Sequence, residues 1–158
     1  MINSDYITQW SEEGYTVIRN CIPDKLIHSA AKMLKHYYNI SNKIKDDFGS
    51  DGKFEFPTHT DLDSITLNEN LIKIVQQLLK CDTILLSQAD TWAKKGSHNK
   101  NKMSNNDQRM HMDYGNNSFL HPSDWYHPEA VAMIIYLSDT TITEGGTAIV
   151  PKTSSTEH

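Results

Sequence analysis

The chain has little of what would take it out of ordinary globular chemistry. It has two cysteines, Cys21 and Cys81, at a separation that suits neither a metal knuckle nor a disulfide framework. Lone thiols of this kind point to a reducing compartment, with the cytoplasm as the default. Positive charge is not in excess. The formal net charge is −5, which argues against nucleic acid or an anionic membrane surface as a partner. No apolar run approaches the roughly 20 residues that span a bilayer. The opening Met1-Ile2-Asn3-Ser4-Asp5 has the layout of neither a signal peptide nor a transit peptide. Internal repeats and low-complexity tracts are lacking too.

What is present fits one domain. A length of 158 residues, 37% hydrophobic and 22% charged, is enough to bury a real core. Ser4 or Asp5 is placed to cap a short helix carrying Tyr6, Ile7 and Trp10, with Gly14 as its stop. Tyr15 to Ile18 reads as a short strand of β-forming residues. Pro23-Asp24 opens an amphipathic helix over about 24–39, with Leu26, Ala30, Met33, Leu34 and Tyr37 on one stripe. Ser41 to Asp63 is polar and interrupted by Gly49, Gly52 and Pro57, and reads as loop, with Asp61 and Asp63 as solvated turn formers. Thr66-Leu67-Asn68-Glu69 has capping-box spacing. It predicts a helix over about 68–80 that buries Leu71, Val75, Leu78 and Leu79. Strands are expected at 83–95, 107–114, 130–138 and 146–151. The third of these, Ala130 to Leu137, is nearly all apolar, as for a strand covered on both faces.

The most specific chemical feature is His111-Met112-Asp113. Residues two apart on a strand share a face, about 6–7 Å apart along the backbone. An imidazole and a carboxylate so placed can converge on one metal ion. With a second histidine from a distant strand they would make the two-histidine, one-carboxylate face that leaves positions open on Fe(II). The same alternation puts Gln88, Asp90, Trp92 and Lys94 on one face of their strand, and Ser87, Ala89, Thr91 and Ala93 on the other.

Several segments together resemble the amino-terminal part of the phytanoyl-CoA dioxygenase family of Fe(II)/2-oxoglutarate oxygenases. In chain order they are Glu13 to Ile18, Leu71 to Leu79, Gln88 to Lys94, Asp107 to Tyr114, Pro128 to Val131, Ile135 to Asp139 and Glu144 to Pro151. His-x-Asp-Tyr followed by a strand, an acidic turn, paired glycines and Val-Pro is the distinctive part.

The resemblance implies an α+β fold, the double-stranded β-helix (jelly roll) of these oxygenases, braced by N-terminal helices and truncated before the last strands. Within a single domain 1–158, a helical part covers about 1–81 and the first jelly-roll strands about 83–158. The carboxy-terminal half of the family domain is expected to be absent. His111 and Asp113 are then two iron ligands and catalytic residues, and Gln88, Trp92 and Lys94 line the cosubstrate wall. Arg109 shares the parity of the ligands and belongs either to the site or to its rim. Ile134 and Tyr136 lie on a strand that borders the cosubstrate in relatives, with core packing the simpler reading. Trp125 and His127 sit in an excursion suited to a lid. His28, His36, His59, His98 and His121 have no ligand spacing. A downstream histidine and a 2-oxoglutarate-binding arginine complete the family's site, and His158 is not expected to be that histidine.

The implied chemistry is hydroxylation of a small organic molecule by an Fe(II)-dependent dioxygenase. It uses molecular oxygen and 2-oxoglutarate, with ascorbate as a candidate reductant. A rival reading is a catalytically inactive, truncated relative serving as a binding or interaction module. In either reading, self-association through the missing strands is an expected partner interaction. A metal-dependent hydrolase would want a general base beside a metal-bound water, and the sequence offers no obvious pairing.

Overall fold

The computed structural model describes residues 4–41, 54–91, 93, 130–141 and 146–152. Two long helices carry the core. α1 (Ser4–Glu13) and α2 (Asp24–Ser41) are followed by β1 (Phe54–Glu55), α3 (Thr60–Thr66), α4 (Glu69–Leu79) and β2 (Asp90–Thr91). None of these helices is long and apolar enough to cross a membrane.

Helical periodicity decides which residues go inside. On α2, Ala30, Leu34 and Tyr38 recur every four residues and are all buried, Tyr38 to 2% exposure. α4 buries Leu71, Ile74 and Leu78 at the same kind of spacing. Leu62 and Ile65 of α3 and Ile22 ahead of α2 close this cluster. Fully burying a side chain of this size contributes about 1.5–3 kcal/mol. Trp10 brings α1 against the same core. α1 ends at Gly14, whose amide donates to the Trp10 carbonyl at 3.0 Å with φ at +78°, a conformation that suits glycine. Ser4 and Asp5 lie within the first turn rather than ahead of it.

The segment 41–63, expected to be loop, contains β1 and the start of α3. His59 is the N-cap of α3, its Nδ1 accepting from the Asp61 amide at 3.3 Å. Asp61 and Asp63 are structural acceptors rather than solvated turn formers. Asp61 accepts from the Ser29 hydroxyl of α2 at 2.6 Å. Both Asp63 oxygens accept from the Thr58 amide, at 2.9 and 3.1 Å. Thr66 is the last residue of α3, and its hydroxyl donates back to the Leu62 carbonyl at 3.1 Å. It therefore does not cap the next helix. Asn68 does, its Oδ1 accepting from the Asn70 amide at 3.0 Å. Lys80, left-handed at φ 52°, ends α4.

The two short strands pair antiparallel, Phe54 with Thr91 and Glu55 with Asp90. The pairing runs one step further, from the Phe56 amide to the Ala89 carbonyl at 2.9 Å. Phe54 also packs edge-on against Tyr37 and Tyr38 of α2, with ring centroids 4.8 and 6.4 Å away. That contact joins the strand pair to the helices.

Regular strand is shorter than expected. Of 83–95, only Asp90–Thr91 is strand among the described residues, and Leu85 is 92% exposed. Residues 15–18, 130–138 and 146–151 are not assigned as strand either. A strand is defined by its ladder, and these segments find no ladder partner among the described residues. The segment 107–114 lies outside the described residues.

Segment 130–137 is also covered on one side rather than two. Val131, Ile135 and Leu137 pack on the helical core. Met133, Ile134 and Tyr136 are 39%, 60% and 45% exposed, so the core-packing expectation for Ile134 and Tyr136 does not hold.

Two stability measurements check this architecture. By chemical denaturation, Leu78→Ala should cost about 2–5 kcal/mol, while Leu85→Ala should stay within about 0.5 kcal/mol. Asn68→Ala should cost about 0.5–2 kcal/mol through loss of the cap. Thr66→Ala should cost clearly less, and equal costs would return the cap to Thr66.

Candidate functional site

Of His111, Asp113, Gln88, Trp92 and Lys94, the metal and cosubstrate residues proposed from the sequence, Gln88 is the one the structure describes. It lies two residues ahead of β2, exposed, with its Nε2 donating to Asp90 Oδ2 at 2.6 Å. Asp90 itself is fixed in the ladder opposite Glu55. The side-chain amide is thus oriented by a carboxylate that the sheet holds in register. The sequence reading placed both residues on one face but did not foresee the bond; the two-residue spacing was the available signal.

His111, Asp113, Trp92, Lys94, Arg109, Trp125 and His127 lie outside the described residues, as do His98 and His121. Among the described residues, no group of three or more His, Cys, Asp or Glu side chains is arranged to hold a metal. His28 and His36 are exposed, and His28 Nδ1 is bonded to the Asp24 carbonyl at 2.7 Å. His59 serves as a helix cap. These three have structural or surface positions, as their spacing suggests.

The packing separates two faces. Ala93, Val131, Ile135 and Leu137 are turned to the helices. Gln88, Ile134 and Tyr136 are exposed. The Tyr136 hydroxyl accepts from the Thr147 amide at 2.7 Å and shares a second hydrogen bond with the Thr147 hydroxyl. It ties segment 130–137 to segment 146–150, a link that no sequence period announces. An open depression lined in part by Leu26, Asp63, Leu67 and Glu69 belongs to the helical layer and contains none of the candidate residues.

The turn after Leu137 is held by Asp139. Its Oδ1 accepts from the Thr141 hydroxyl at 2.6 Å and from the Thr141 amide at 2.9 Å. The hydroxyl bond first, and the amide bond second, hold the carboxyl below its ordinary value. A depressed folded-state value contributes stability above the unfolded value, and that contribution is lost as pH falls through the folded one. In a carboxyl-resonance titration, Asp139 should titrate on the acid side of ordinary aspartates. Thr141→Ala should move its midpoint upward, part of the way back, because the amide bond remains. No movement would mean that the hydroxyl bond does not form in solution.

Sequence comparison extends beyond these residues. The family model described as phytanoyl-CoA dioxygenase matches residues 10–157. No curated protein and no solved structure matches the sequence. The matched region takes in the end of α1, the other three helices, the strand pair and the His111-x-Asp113 segment alike. The chain therefore belongs to the phytanoyl-CoA dioxygenase family, whose members are generally Fe(II)- and 2-oxoglutarate-dependent oxygenases.

Proposed function

We propose that this protein is an Fe(II)- and 2-oxoglutarate-dependent dioxygenase that hydroxylates a small organic molecule, with neither nucleic acid nor membrane as a partner. The observation that carries the reading is the family match over 10–157, which contains His111 and Asp113 in His-x-Asp spacing. The donor chemistry fits. One imidazole and one carboxylate are two-thirds of the ligand face that suits Fe(II) while leaving positions for a cosubstrate and oxygen. When bound, the iron with 2-oxoglutarate supplies the oxidising power for C–H hydroxylation.

The protein's part is to bind and to orient. His111 would offer a neutral ring nitrogen, so protons compete with the metal as pH falls. Asp113 would offer a carboxylate oxygen and offset part of the positive charge. Gln88, Trp92 and Lys94 are assigned to the cosubstrate wall, where the Lys94 ammonium suits a dicarboxylate. The packing supports this arrangement. The helices take one side of the extended segments, through Ala93, Val131, Ile135 and Leu137. The opposite side, with Gln88, Ile134 and Tyr136, is left for a site. A jelly roll built on these segments is the fold we assign to the domain.

Both ligands are required in this reading. In this protein, His111→Ala or Asp113→Ala should abolish tight Fe(II) binding in anaerobic titration. Succinate formation should fall further than the roughly 10–100-fold that changes around a metal's ligands cost. Succinate formed at the parent rate by either variant would overturn the assignment. Loss-free variants in a protein that makes no succinate would favour the binding-module alternative.

The cosubstrate wall gives a separate readout. Lys94→Ala and Gln88→Ala should raise the KM for 2-oxoglutarate and leave Fe(II) affinity near that of the parent. If both constants move together, these residues support the metal site rather than the cosubstrate.

A further inference from the structure

No further inference is drawn: the strongest candidate, the exposed apolar patch of Met133, Ile134 and Tyr136 beside segment 146–150, has nothing in the structure to show what covers it.

Discussion

The contact on which the described structure turns is the edge-to-face packing of Phe54 with Tyr37 and Tyr38. α2 would otherwise be one more amphipathic helix in a helical layer. By presenting two adjacent aromatic rings, themselves 5.2 Å apart at the centroids, it gives β1 a fixed seat. Aromatic pairs in this geometry are worth about 0.5–1.5 kcal/mol beyond the area they bury. The register then follows without further help. Phe54 faces Thr91 and Glu55 faces Asp90, so the position of β2 is inherited from two tyrosines of α2 more than fifty residues earlier in the chain. Asp90 in turn orients Gln88.

The helices also give the extended segments their sidedness. Val131, Ile135 and Leu137 are drawn to the same core as Leu34 and Leu78. The alternate residues are thereby turned outward. A chemistry placed on that outward side would inherit a rigid backing, because the core behind it is packed from several helices at once.

How much of this could be read in the sequence differs from element to element. α2 and α4 were legible because their apolar residues keep a 3.6-residue period over at least three turns. Even there the inner face was partly misjudged. Tyr38 and Ile74 are buried, while Val75 and Leu79 sit at the edge. α3 was missed because it has only seven residues, four of them Thr, Asp or Ser besides a second Thr at its end. Its two buried residues, Leu62 and Ile65, are too few to reveal a period. The cap was displaced by two residues because Thr66 and Asn68 both carry a capping group, and only the end of α3 decides between them. Strand composition was readable but strand extent was not, since a ladder depends on a partner and not on propensity. For the site, the His-x-Asp spacing and its neighbours identified the family. The bond from Gln88 to Asp90 has only the two-residue spacing as its signal, and the tie from Tyr136 to Thr147 depends on tertiary placement and has no signature of its own.

The junction between α3 and α4 has a consequence for motion. Leu67 and Asn68 alone separate the two helices, and both residues are committed. The Leu67 amide donates to the Asp63 carbonyl and the Asn68 amide to the Ile65 carbonyl, while the Asn68 side chain holds the first turn of α4. No spare backbone remains to act as a hinge. The two helices should therefore open and close as a single cooperative unit, their amides sharing one protection level against hydrogen exchange. At the other end of α4 the left-handed Lys80, with the Cys81 amide donating to the Gln76 carbonyl at 3.0 Å, closes the helix before the largely exposed run that leads into β2.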